Sequence, residues 1–115
     1  GMANPDSIQE VIDAVRSVSS VPLVLHLHDT RGLGIANITA ALEMGVDRFD
    51  TSLGGLGGCP FIPGATGNVA TEDTVYLLDQ LGIQHGIDNA IVAATSRQVS
   101  DFLERDLSGK MYRLY

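Results

Sequence analysis

Two histidines one residue apart, His26 and His28, end an apolar run in VLHLHD, and the chain's only cysteine, Cys59, lies further on in GLGGCPFIPGATGN. If the apolar run is a strand, alternate side chains share a face, so both imidazoles reach toward one point just beyond the strand end. That is a metal-chelating geometry. Two imidazoles joined by oxygen ligands suit an open, labile divalent cation, whereas a closed tetrahedral zinc centre recruits more thiolates than this chain has. The competing reading is a pair of core histidines with satisfied ring nitrogens. Position bears on the choice: the C-terminal ends of strands are where α/β folds place their sites, and Asp29 follows at once as a carboxylate able to orient an imidazole.

A free cysteine is usually a small buried hydrophobe. Cys59 instead stands between Gly57-Gly58 and Pro60, with further glycines at 54, 55, 64 and 67. Such a loop can move, or approach a ligand by its backbone, and a thiol on it reads as reactive rather than structural. The glycines match neither a GxGxxG that opens a helix nor a P-loop, so they do not indicate a nucleotide site. Asn68 closes the loop, and spacing alone makes it a turn or capping residue. His85, beside Gly86, reads as an exposed loop histidine.

The elements that must position these residues follow from periodicity and punctuation. Asn4-Pro5 opens a helix in which Ile8, Val11, Ile12 and Val15 form an apolar stripe ending near residues 17–20. Leu23 to Leu27 is a continuous apolar run, expected to be a parallel strand covered on both faces. A second helix carries Ile35, Ile38 and Leu42 and closes at Gly45. Val46 to Thr51 is the second strand, with Val46 and Phe49 as its apolar content. Thr71, Glu72 and Asp73 suit the start of a third helix, a hydroxyl cap and two carboxylates at the positive end of its dipole. Asp88 caps a fourth, with an apolar face through Ile91, Val92, Val99, Phe102 and Leu103. Residues 108–115 lack a pattern and are expected to trail over the surface. Helix and strand alternate, which marks α/β winding.

With 44% hydrophobic residues, 115 positions suffice for one globular domain with a real core, and no apolar run is long enough to span a membrane. Seven basic against fourteen acidic side chains leave a charge of −7 spread along the chain, which argues against nucleic-acid and anionic-membrane surfaces. A single cysteine and the lack of a leader-like start point to a reducing cytoplasmic setting. Gly1 ahead of Met2 reads as the remnant of a cleaved tag.

HLHDTRGLGIAN, GLGGCPFIPGATGN and ATEDTVYLLDQLGI closely resemble the C-terminal third of the 3-hydroxy-3-methylglutaryl-CoA lyases, metal-dependent members of the lyase and aldolase-like (β/α)8 barrels. The resemblance runs over nearly all of residues 3–105. Isopropylmalate and citramalate synthases share the histidine pair and the loop asparagine, while the GGCP segment points to the lyase branch. The resemblance implies an α/β fold made of the last two strand–helix units of a TIM barrel with flanking helices, residues 3–107 forming the barrel portion and 108–115 a tail. It also implies that His26, His28 and Asn68 match the family's divalent-metal ligands, with magnesium or manganese bound. Cys59 matches the catalytic loop cysteine, and His26 the histidine that also serves in proton transfer. The implied reaction cleaves 3-hydroxy-3-methylglutaryl-CoA to acetyl-CoA and acetoacetate, with an acyl-CoA as substrate.

A complete barrel of this type has eight strands in about 250 residues. The family's first-strand aspartate ligand and its neighbouring arginine are absent from this chain. Two parallel strands with open edges are poorly stable alone, so the chain is expected either to associate with further copies through those edges or to be a truncated or excised piece of a longer protein. Three functions follow: lyase chemistry with the missing ligand supplied by another chain, an inactive barrel fragment with weak metal affinity, or a small interaction module.

Overall fold

The computed structural model describes residues 1–58 and 64–115. Cys59 and the expectations attached to it lie outside the described residues. The elements run α1 (Pro5–Val18), β1 (Leu25–His26), α2 (Gly34–Glu43), β2 (Phe49–Asp50), a 3-10 turn (Leu53–Gly55), α3 (Thr71–Gln80), α4 (Asn89–Phe102) and a last 3-10 turn (Met111–Arg113). β1 and β2 pair in parallel, Leu25 opposite Phe49 and His26 opposite Asp50. This is a partial α/β barrel, two strands with the helices that cover one side of them.

Chain chemistry explains each boundary. Asn4 caps α1 by accepting from the Ser7 N–H at 2.9 Å, Ser7 Oγ lies 2.9 Å from the Asn4 N–H in return, and Pro5 fills the first turn. Gly45, at φ +74°, stops α2. Asp88 caps α4 through the Ala90 and Ile91 N–H groups. α3 differs from expectation: its cap is Ala70, without a side-chain bond, and Thr71 is its first residue.

The core forms where Ile8 and Ile12 of α1 and Ile38 and Ala41 of α2 meet Leu27, Val46 and Val69, with Leu25 and Phe49 packed against them. The register-paired Leu25 and Phe49 thus point to the helices. The other side of the sheet is open, where Val24 is 59% exposed and His26 and Asp50 are exposed too. The expectation of a strand covered on both faces is corrected accordingly. A continuous apolar run carries no signal for which side lacks a cover.

Two further expectations are overturned by polar anchors. The buried face of α4 is Asn89, Ala93 and Ser96, while Ile91 and Phe102 are 65% and 86% exposed. Small residues win that face because it closes on the buried Glu72 carboxylate, which accepts from Ser96 Oγ. Nor do residues 108–115 trail. Leu107 and Tyr112 are buried with Ala93, the Gly109 N–H donates to Gly54 O at 2.9 Å, and Arg97 Nη1 donates to the carbonyls of Tyr112 and Tyr115. Backbone partners, which leave no hydropathy pattern, hold this segment down. No helix among the described residues is long and apolar enough to cross a membrane.

Candidate metal centre

The centre is built at the C-terminal ends of the two strands. Residues 67–71 run back across those ends: the Gly67 carbonyl accepts from the Asp29 N–H at 2.8 Å, the Val69 N–H donates to Leu27 O at 3.0 Å, and the Ser52 N–H donates to Val69 O at 3.1 Å. Asn68 is thereby bridged antiparallel to His28, and Ala70 parallel to Ser52. Backbone pairing, rather than any side-chain preference, brings the loop asparagine to the histidine pair. Gly67 is required at the crossing. Its φ is +86°, and a Cβ there would lie 2.5 Å from the Gly57 carbonyl oxygen, so the two glycines form a neck through which the loop leaves and returns.

The imidazoles of His26 and His28 stand edge to face, with centroids 5.2 Å apart at 65°. His26 Nδ1 is 3.0 Å from Asp50 Oδ2, which leaves Nε2 as the ring atom turned to other work. Among the described residues, His28 Nδ1 is buried without a hydrogen-bond partner. Burial, followed by the positive N-terminus and by His26, holds His28 below the ordinary value of 6.5 and so favours its neutral, lone-pair form. Asn68 Nδ2 donates to the Leu56 carbonyl at 2.8 Å, which turns its amide oxygen away from that bond. A buried His28 nitrogen without a partner among the described residues, the His26 Nε2 that its Asp50 contact leaves over, and the oxygen of an amide whose Nδ2 is committed to Leu56 are donors that fit a hard or borderline divalent cation. Among the described residues no three His, Cys, Asp or Glu side chains converge as a metal cluster, so the donor set is a partial one.

Asp29 does not orient an imidazole. Its Oδ1 accepts from the Gly34 N–H at 2.7 Å, holding the entry to α2, and its Oδ2 lies 3.3 Å from Lys110 Nζ. Glycine at 34 lets the carboxylate approach, since a Cβ there would fall 2.8 Å from Asp29 Oδ1. His85 is tethered, not free: Nε2 is 2.8 Å from Asp79 Oδ1, and Nδ1 accepts from the Ile87 N–H at 3.1 Å. Its side chain is only 14% exposed.

Three carboxylates near the candidate site have partners that sequence reasoning did not anticipate. Glu72 is wholly buried and accepts from the Gly54 N–H at 2.9 and 3.1 Å as well as from Ser96. Asp73 accepts from the N–H groups of Lys110 and Met111. Both stand in the first turn of their helix, as expected for its dipole, and they also fasten the start of the glycine loop and the C-terminal segment. Asp50 was passed over altogether, although strict alternation from Phe49 places it on the histidine face. A cleft of about 410 Å³ lies between the loop neck and residues 105–108.

The family model described as HMGL-like matches residues 1–99. The chain belongs to the HMGL-like family. It is 45% identical over 112 residues to the mitochondrial hydroxymethylglutaryl-CoA lyase of Gallus gallus, covering 96% of this chain and 38% of that protein. Its fold superposes on the HMG-CoA lyase of Bacillus subtilis with a TM-score of 0.94 and 37% identity, over 99% of this chain and 39% of the other. An HMG-CoA lyase of Acinetobacter baumannii, solved with coenzyme A and 3-methylmalate, matches with a TM-score of 0.89 and 45% identity over 98% of this chain and 37% of its own. This HMGL-like chain therefore spans under two-fifths of the length of the relatives it matches.

Proposed function

We propose that these 115 residues carry the two-histidine part of a hydroxymethylglutaryl-CoA lyase site, acting on an acyl-CoA thioester to give acetyl-CoA and acetoacetate. The observation that supports this reading is the backbone bridge between His28 and Asn68, which joins the loop asparagine to the strand end that carries the paired imidazoles. His26 through Nε2, His28 and Asn68 would hold a divalent cation, magnesium or manganese. Such a cation, when bound, supplies Lewis acidity to a substrate oxygen.

The chain's own groups divide the remaining work. With Nδ1 committed to Asp50, His26 Nε2 cannot serve as a ligand and receive a substrate proton at the same moment. Proton transfer by His26 and ligation by His26 are therefore alternatives in this geometry, and Cys59 is the further candidate acid for the departing carbon. Catalysis needs the rest of the barrel. The open side of the sheet and its strand edges are the surfaces on which the remaining barrel would pack, whether continuous with these residues or supplied by another copy. By itself the chain is proposed to bind metal weakly and to lack lyase activity, in a reducing compartment that keeps its thiol free.

The test is Mn²⁺ titration followed by calorimetry, run beside an acetoacetate-release assay. Metal binding that His28→Ala abolishes supports the assignment. Tight binding that survives the substitution sinks it, and acetoacetate release by the isolated chain overturns the inactive-fragment reading.

A further inference from the structure

We infer that Asp50 is a positioning residue for His26, fixing the imidazole as its Nδ1–H tautomer so that Nε2 faces the metal position; this rests on the metal reading above. The two residues are direct register partners in the parallel pair, so their side chains leave the sheet on the same face. Nδ1 and Oδ2 stand 3.0 Å apart. A carboxylate without its own proton only accepts, so the neutral ring must place its proton on Nδ1 to make this bond. Nε2 then keeps its lone pair.

Stability does not account for the pair. The side chains are 52% and 62% exposed, a setting in which ion pairs contribute little to folding. What the contact does supply is direction, because an imidazole that donates to a carboxylate has both its tautomer and its ring plane set. His28 has no such partner among the described residues, where its Nδ1 is buried without a hydrogen bond. The two rings are thus oriented by different means, one by a carboxylate on the neighbouring strand and the other by the segment that bridges it to Asn68.

Imidazole ¹⁵N NMR of the metal-free chain reads the tautomer directly, and Mn²⁺ line broadening of the same signals reads metal binding. Wild type is expected to show His26 as the Nδ1–H form. Asp50→Ala should move it toward Nε2–H and weaken Mn²⁺ binding about 10–100-fold. Asp50→Asn, which retains an accepting oxygen, should keep the tautomer and most of the affinity. An unchanged His26 tautomer in Asp50→Ala, with Mn²⁺ binding present in wild type, overturns the role of Asp50 alone. Failure of the wild-type chain to bind Mn²⁺ at all overturns instead the metal reading beneath it.

Discussion

Removing the Glu72 carboxylate tests whether buried anchors, more than helix propensity, hold the site's loop in place. Glu72 lies in the first turn of α3, where a carboxylate acting only on the helix dipole contributes about 0.3–1 kcal/mol. In the structure it does more: it accepts from the Gly54 N–H and Ser96 Oγ with none of its surface exposed. Hydrogen bonds to a charged group contribute about 1.5–3 kcal/mol each, and truncation strands both donors in the interior. Glu72→Ala should therefore cost about 3–5 kcal/mol, a large share of the roughly 5–15 kcal/mol that stabilises an ordinary domain. Glu72→Gln keeps one accepting oxygen and should lose about half as much. Urea unfolding followed by far-UV circular dichroism measures both at constant m-value. In a double-mutant cycle, Ser96→Ala should couple to Glu72→Ala by about 1 kcal/mol or more. A loss of under about 1 kcal/mol in Glu72→Ala would refute the anchor and leave only the dipole.

Other substitutions probe the same architecture. Gly54→Ala meets both a φ of +60° and a Cβ only 2.2 Å from Leu107 Cδ1, and should destabilise by about 2–4 kcal/mol in the same urea assay. Asn4→Ala removes the α1 cap and should cost about 1 kcal/mol, read as a lowered melting temperature. Lys110→Met cuts an exposed ion pair to Asp29 and should change stability by less than about 1 kcal/mol. His28 is held below its ordinary value, so the unfolded chain takes up that proton first as pH falls through 6.5. Its contribution is to weaken the fold on the acid side and to have no effect above that range. A urea midpoint that drops with acidification, less so in His28→Gln, checks the sign.

What could be read from the sequence is what local chemistry decides. The Asn4 and Asp88 caps, the stop at Gly45 and the order of helices and strands follow from residues that act on their immediate neighbours. The family followed from motifs, and the matched residues 1–99 bear that out. Several of the misreadings share one cause, a polar group whose partner is distant in sequence. Asp29 reaches Lys110, Glu72 reaches Gly54 and Ser96, and Asp73 reaches Lys110 and Met111. Spacing along the chain has no way to announce such pairs. The face of α4 failed for the same reason, because its inward side is chosen by a carboxylate on α3 and not by hydropathy. Asp50 is different. Its side of the strand was legible from alternation, and only the parallel register was needed to set it opposite His26.

The last eight residues moor to both ends of the candidate site at once. Ser108 and Gly109 hold the carbonyls of Gly55 and Gly54, at the root of the glycine loop, while Lys110 reaches Asp29 just past the histidines. A cut, extension or affinity tag introduced between residues 106 and 111 should disturb the imidazole signals and the loop glycine amides together. An insertion in that stretch is thus a perturbation of the proposed centre, however remote it looks on a linear map.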